Sequence, residues 1–426
     1  MTSVQYGVLN VMKKSRCGTM PWESDLPAMG IIPFPLPRPD WYSRSTSTAI
    51  THDDLHPQHP MTPQQLHGIA LVRKRIDEID NTVLDLLKER LDCARTIGKL
   101  KDESKRAKWD PQRELEIYER LRKNNADVFP PAALYSIFHE IITTCRLSQR
   151  KATVAYLGPE ATFTHQAGVR YFGQTASYQP MESIPEVFQE VERERVQYGI
   201  IPVENSIEGA VTYSLDSFLL YKVQICGEIK LPINHNLVNR SGNMEDIKTV
   251  VSHSQALAQC RQWLRKHLPG VPAMPVFSTA TAAKMAAEDP SLAAIASSLA
   301  ITTYQLQVVV RGIEDFQGNK TRFLVLGDKS PSRCGNDRTS VVFGLINRPG
   351  ALNEVLTILS AKGIDMTKLE SRPAKNQLWQ YVFFVDMVGH IEDPPVHEAC
   401  NILKQICAYF EILGSYPAAE AAMPAD

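Results

Sequence analysis

The sequence has no apolar run long enough to cross a bilayer, so no transmembrane helix and no membrane partner are expected. It has no charge bias either: Lys plus Arg number 46 against 47 Asp plus Glu, a net charge of −1. That balance gives no global attraction to nucleic acid, and any anionic ligand must be met by locally gathered cations. The eight cysteines are Cys17, Cys93, Cys145, Cys226, Cys260, Cys334, Cys400 and Cys407, with no C-x-x-C pair and no zinc-like spacing. This argues against a disulfide framework or a metal centre, and for free buried thiols in a reducing cytoplasm. There is no G-x-S-x-G elbow and no internal repeat.

What remains is an ordinary globular composition, 43% hydrophobic and 22% charged, in a chain of 426 residues. That length is too great for one core, and two to four domains are expected. Residues 1–60 carry Pro33, Pro35, Pro37 and Pro39 and no sustained periodicity. They read as a disordered extension, or as an over-called start with Met61 the true first residue. Lys13, Lys14 and Arg16 precede the first acid, Glu23, as in a transit peptide, but no secretory pattern follows.

Residues 61–150 read as helical. Ile69, Ile76, Val83 and Ile97 recur at multiples of seven, and Ile79, Leu86 and Leu87 fill the same stripe. Such a helix cannot bury its stripe alone and needs another chain or helices folded back on it. A second helix starts at Asp110-Pro111, and a third follows Pro130-Pro131 and runs to about Gln149. Arg90 and Lys101 return to nearly one face, while Arg113 and Glu114 lie within one turn of Asp110. A cationic site and a solvated surface of i,i+4 pairs both account for that spacing.

From Thr153 short apolar strands alternate with helices such as 254–267. Candidate strands are 154–157, 199–203, 249–252, 293–296 and 322–326. The alternation argues a mainly parallel sheet with covered faces. A polar linker, 329–338, leads to a unit with the order βαββαβ over 339–416, the ferredoxin-like arrangement, and the tail 417–426 reads as loose.

Three resemblances rest on specific strings. VRKRIDEIDNTVLDLLKERL, IGKLK and WDPQRE make residues 64–150 resemble the all-helical chorismate mutases. The resemblance implies that Arg73, Arg90 and Arg113 hold the substrate carboxylates, with Lys101 essential and Asp110 and Glu114 the acidic members. It puts the site glutamine on Gln149 and, where several relatives have serine, Cys145. It also implies a dimer in which Arg73 reaches the partner's site. Such a site needs no base: a pericyclic shift proceeds faster when the dianion is held in its compact conformer and the ether oxygen meets a fixed donor. Lys101 and Gln149 are the expected donors; Glu114 donates there only if protonated.

GPEATFTHQA (158–167), PVENSIEGAV (202–211), SHSQALAQC (252–260) and NKTRF (319–323) together resemble prephenate dehydratase over residues 152–328. Each alone is an ordinary turn or helix start. The resemblance implies two α/β lobes like the periplasmic binding proteins. It puts the essential threonine on Thr321 and supporting residues on Asn205 and Gln255, with Arg322 a candidate carboxylate holder. His165 and Glu208 are nearby candidates for the proton source, with structural roles expected for both. Prephenate must lose carbon dioxide and hydroxide together, so a donor beside the departing hydroxyl, Thr321, is expected to help most. No cofactor is required.

Residues 339–416 resemble the ACT regulatory domain through GALN (Gly350, Ala351, Leu352, Asn353) and ESRP (Glu370, Ser371, Arg372, Pro373). Those residues are the implied L-phenylalanine site. Gly350 opens a helix whose N–H groups suit a carboxylate, and Asn353 departs from the usual aliphatic residue. The whole is thus expected to be multidomain: an all-α helical mutase, a two-lobed α/β dehydratase and an α+β ferredoxin-like sensor. The set resembles the bifunctional chorismate mutase/prephenate dehydratases of phenylalanine biosynthesis. Chorismate, prephenate and L-phenylalanine are the implied ligands, and a homodimer or higher homo-oligomer in the cytoplasm is expected. An arogenate-preferring dehydratase and a non-catalytic amino-acid-binding regulator on the same fold are the alternatives.

Overall fold

The computed structural model describes residues 63–103, 110–126, 128–149, 152–373 and 381–419. Residues 1–60, expected as an extension, and 420–426 of the tail lie outside the described residues. The chain divides into two compact units, Met1–Val72 and Arg73–Asp426. The described part of the first is the opening of helix α1; the second holds all other elements.

Helix α1 (Pro63–Glu103) is followed by α2 (Pro111–Asn125) and α3 (Pro131–Gln149). The Asp110 carboxylate accepts from Arg113 N at 3.1 Å, and Pro111, needing no N–H partner, opens α2. The apolar stripe of α1 stays open: Ile76, Val83 and Ile97 are about half exposed, at 50%, 49% and 49%.

The next elements are β1 (Thr153–Leu157), α4 (Phe163–Phe172), β2 (Ser177–Met181), α5 (Ile184–Glu192), β3 (Tyr198–Asn205), β4 (Gly209–Ala210), α6 (Thr212–Phe218) and β5 (Gln224–Pro232). The second lobe holds β6 (Asn236–Asn239), β7 (Thr249–His253), α7 (Ser254–Gln259), α8 (Arg261–His267), β8 (Ala273–Val276), α9 (Thr279–Glu288), β9 (Leu292–Ala296), α10 (Ser298–Thr303) and β10 (Gln307–Val310). The chain then returns to the first lobe as β11 (Lys320–Gly327). The first sheet has the order β2-β1-β3-β11-β5, with β4 on β3; the second is β10-β6-β9-β7-β8.

The expectation of mainly parallel sheets needs correction. β11 re-enters from the other lobe and runs antiparallel to both β3 and β5, and β6 is antiparallel to β9 and β10. The expected 254–267 helix is also broken at Cys260, whose φ of −111° and ψ of 12° leave the helical region where its buried side chain joins the second-lobe core.

The C-terminal unit is β12 (Asp337–Gly344), α11 (Ala351–Ala361), β13 (Met366–Pro373), β14 (Tyr381–Val388), α12 (Pro394–Ile406) and β15 (Tyr409–Pro417), in the order β13-β14-β12-β15. Period-two alternation gives its sheet two buried faces. Val341, Phe343, Val385 and Met387 pack with residues of α11 and α12, whereas Val342, Val382, Phe384 and Tyr416 share a core with Val203, Leu215 and Leu324 of the first lobe. The approach is close at Gly414, where a Cβ would lie 2.3 Å from Ile225 O, so only glycine fits. The linker ends earlier than expected, since Asp337 and Arg338 already belong to β12. The tail does not start loosely: Ala418 and Ala419 are buried, and Ala419 N donates to Glu228 Oε1 at 2.7 Å.

Candidate active sites

Thr321 and Asn205 are register partners across β11 and β3. Asn205 Oδ1 accepts from Ile207 N and Glu208 N at 3.0 and 3.2 Å, an Asx-type turn that fixes which end of the amide is which. Asn205 Nδ2 therefore points the other way and donates to Thr321 Oγ1 at 2.9 Å and to Asn319 Oδ1 at 2.9 Å. The Thr321 oxygen is an acceptor in this arrangement, and its own proton is left to donate elsewhere.

The network runs on through Asn319, Ser206 and Gln259 of the same strings and through His235, which lies outside them. Asn319 Nδ2 donates to Gln259 Oε1 at 3.2 Å, Ser206 Oγ donates to Asn319 Oδ1 at 3.3 Å, and His235 Nε2 lies 2.8 Å from Gln259 Oε1. A carbonyl oxygen only accepts, so His235 carries its proton on Nε2; its Nδ1 is buried with no partner among the described residues. Burial lowers the His235 pKa, against the opposing pull of Gln259 and Glu314, and keeps the ring neutral at pH 7. Asn319 stands two residues before Thr321. Gln259 stands one helical turn after Gln255, the signal that could have found it. Gln255 itself is half-buried at the start of α7, where its backbone N–H meets His253 Nδ1 at 3.4 Å.

His165 accepts from Ala161 N at 3.1 Å and stacks on Tyr156, a packing position. Glu208 is exposed, with Gln259 Nε2 3.4 Å from its Oε1.

Arg322 does not sit with Thr321. Consecutive strand residues face opposite ways, and Arg322 turns its guanidinium away to Glu228 (2.6 Å), Asp386 (2.5 Å) and Tyr416 OH (3.0 Å). A carboxylate-holding role is displaced by these partners, which use Nε, Nη1 and Nη2. Burial opposes its charge, but Asp386, Tyr416 and Glu228 outweigh burial and hold Arg322 well above its ordinary value.

In the helical region, Arg90 Nη1 reaches Ile141 O of α3 at 3.4 Å, and Lys101 is half-buried. Arg73 is exposed on α1; Arg113 is exposed and paired with Glu116 at 2.9 Å. Glu114 is paired with Arg146 at 3.1 Å, and Arg146 Nη2 donates to Tyr171 O of α4 at 3.1 Å. Cys145 is buried, and the Gln149 side chain lies outside the described residues. The structure thus brings Glu114 to Arg146 and Arg90 to α3, but leaves Arg73 and Arg113 turned to solvent.

In the C-terminal unit Gly350 takes φ +84° at the start of α11, a left-handed conformation that favours glycine. Gly350, Asn353, Ser371 and Pro373 are exposed; Ala351, Leu352, Glu370 and Arg372 are half-buried. Arg372 Nη2 pairs with Asp216 of α6 at 3.3 Å, so part of the ESRP string faces the first lobe.

The prephenate dehydratase family matches residues 154–331, chorismate mutase type II matches 72–150, and the ACT domain matches 339–399. The chain is 46% identical over 352 residues to a bifunctional chorismate mutase/prephenate dehydratase of Aquifex aeolicus, covering 82% of this chain and 97% of the relative. The same type of enzyme from Pseudomonas aeruginosa is 39% identical, covering 82% and 98%. A crystal structure of prephenate dehydratase in complex with L-Phe from Arthrobacter aurescens superposes with a TM-score of 0.60 at 34% identity, covering 65% of this chain and 92% of that one.

Fold, polar network and matches together define a multidomain enzyme of aromatic amino acid biosynthesis, with an isomerase region, a lyase region and an ACT domain. The chain belongs to the bifunctional chorismate mutase/prephenate dehydratase family. It converts chorismate to prephenate and prephenate to phenylpyruvate on the route to L-phenylalanine.

Proposed function

We propose that Thr321 drives the dehydratase step by donating a hydrogen bond from its hydroxyl to the hydroxyl that leaves prephenate. The observation that carries this is the 2.9 Å bond from Asn205 Nδ2 to Thr321 Oγ1, which occupies the oxygen and leaves the proton available. The ring carboxylate departs as carbon dioxide, its electron pair completes the aromatic ring, and the hydroxyl leaves toward Thr321. A threonine is a weak acid, so it stabilises the departing hydroxide by a hydrogen bond and keeps its own proton, the hydroxide being neutralised by solvent. Asn205 orients Thr321, and Asn319, Gln259 and His235 fix Asn205 in turn; Gln255 lines the substrate side of the same helix.

For the mutase, Arg90 and Lys101 hold the chorismate dianion and Arg113, exposed and paired with Glu116 in the free chain, turns to it on binding, with Lys101 and Gln149 donating to the ether oxygen and Asp110, Glu114 and Cys145 shaping the site. Its completion requires a second copy of the chain, which covers the open α1 stripe and supplies Arg73; the half-exposed Ile76, Val83 and Ile97 support this. The domains are read as 61–150, 152–328 and 339–416. L-Phenylalanine binds the sensor through Gly350–Asn353 and Glu370–Pro373 and inhibits the dehydratase, prephenate is preferred over arogenate, and the enzyme works in the cytoplasm without a cofactor.

Purified protein is tested with prephenate and with arogenate, with and without L-phenylalanine. Phenylpyruvate from prephenate, suppressed by L-phenylalanine, supports the reading. Turnover of arogenate alone, or indifference to L-phenylalanine, overturns the corresponding part.

A further inference from the structure

The register that pairs Thr321 with Asn205 also pairs their neighbours, Arg322 with Glu204. The two pairs project to opposite faces of the sheet. Arg322 Nη1 lies 2.5 Å from Asp386 of β14, and Glu204 Oε2 lies 2.8 Å from Lys368 Nζ of β13. Lys368 and Asp386 are themselves register partners in the C-terminal sheet. Two catalytic-strand residues therefore meet two sensor-strand residues as a four-membered square of alternating charge. Three of its side chains are nearly buried: Arg322 is 10% exposed, Asp386 11% and Lys368 12%.

The square borders a small gap in the packing between the two sheets. A cavity of ≈ 20 Å³ lies beside it, lined by Val203, Leu324 and Phe384 as well as by Arg322, Lys368 and Asp386. That is space for about one water, so the apolar packing there is incomplete. Ser340 Oγ donates to Asp386 Oδ1 at 2.5 Å, and Glu228, fully buried, receives both Arg322 and Arg338. Buried ion pairs of this kind contribute little net stability but hold a specific register when every member is satisfied.

We propose that Glu204 and Arg322 are positioning residues for the dehydratase reaction, through which Lys368 and Asp386 of the sensor set the separation and tilt of Asn205 and Thr321. The proposal rests on the reading of Asn205 and Thr321 as the reacting pair. A movement of β13 or β14 displaces β3 and β11 directly, because each ion pair starts one residue from a member of that pair. Arg372 extends the contact from the ESRP string to Asp216 of α6, so a ligand that shifts β13 moves two attachments together.

The test uses the full chain carrying Lys368→Met, Glu204→Gln or both substitutions together. Each is assayed for dehydratase kcat and KM, for the L-phenylalanine concentration giving half inhibition, and for mutase turnover as a measure of intact folding. Lys368→Met and Glu204→Gln are each expected to lower dehydratase kcat about tenfold, a fraction of the ~100-fold that a 1 Å misplacement costs. KM is expected to change little and L-phenylalanine response to weaken, while the double variant loses no more kcat than either single, because the two residues act as one coupled pair. The proposal is overturned if both single variants keep wild-type kcat and L-phenylalanine response, or if the losses of the two singles multiply in the double variant. Thr321→Ala separates this from the underlying reading: full activity in that variant sinks the reacting pair itself, whatever the ion pairs do.

Discussion

Glu114 and Arg146 form an ion pair at 3.1 Å, and the other end of the same guanidinium holds Tyr171 O, so one arginine ties the second helix to the dehydratase lobe. Burial opposes the charge on Arg146, but Glu114 and the nearby tyrosines outweigh it and raise its pKa. Both partners are shielded, at 16% and 24% exposure.

Arg146→Ala leaves Glu114 without its cation and Tyr171 O without its donor. A loss of about 3 kcal/mol is expected, at the lower end for breaking a buried pair because both groups retain some water contact. Urea unfolding of the variant checks it; a midpoint equal to wild type would remove the pair from any structural role.

Lys101→Ala is expected to lower mutase turnover by about 100-fold or more, the scale of removing one donor from a developing oxyanion. Dehydratase turnover should be unaffected. The two assays run on one preparation decide it, and unchanged mutase turnover counts against Lys101.

Gln259→Ala and Asn319→Ala are expected to reduce dehydratase kcat about tenfold by loosening the amide chain behind Thr321. Thr321→Ser should retain part of the activity that Thr321→Ala loses. Full kcat in Gln259→Ala would confine the network to structure.

Acidification should destabilise the fold through its buried histidines. Burial lowers the pKa of His139, His165 and His235 from 6.5. Below 6.5 the unfolded chain takes up protons that the folded chain refuses, so their contribution is full above that pH and is lost as pH falls toward the depressed folded values. Thermal melting between pH 7.5 and 5 should show Tm falling with pH, and less steeply in His165→Asn. A flat profile contradicts neutral burial. Asp386 acts in a lower window. Burial alone would raise it, but Arg322 and Ser340 hold it below 3.8, so its contribution is lost only on passing below that value.

Much of this was legible in the sequence because it is local. Asp110-Pro111 announces a helix start by capping chemistry, and the N-K-T-R-F string contains both Asn319 and Thr321. What was not legible depends on distant partners. That β11 inserts between β3 and β5 is decided by a chain returning from another lobe. Alternation alone could have separated Arg322 from Thr321, but its acceptor Asp386 lies 64 residues away, and no local pattern announces it. One-turn spacing puts Gln259 on the same helix face as Gln255, but only the fold decides that Gln259 is the one that meets Asn319.

The most direct test follows chorismate through both sites in wild type and Thr321→Ala. Wild type should yield phenylpyruvate, whereas Thr321→Ala should consume chorismate at the normal rate and accumulate prephenate. Phenylpyruvate formed by Thr321→Ala at the wild-type rate would contradict the account.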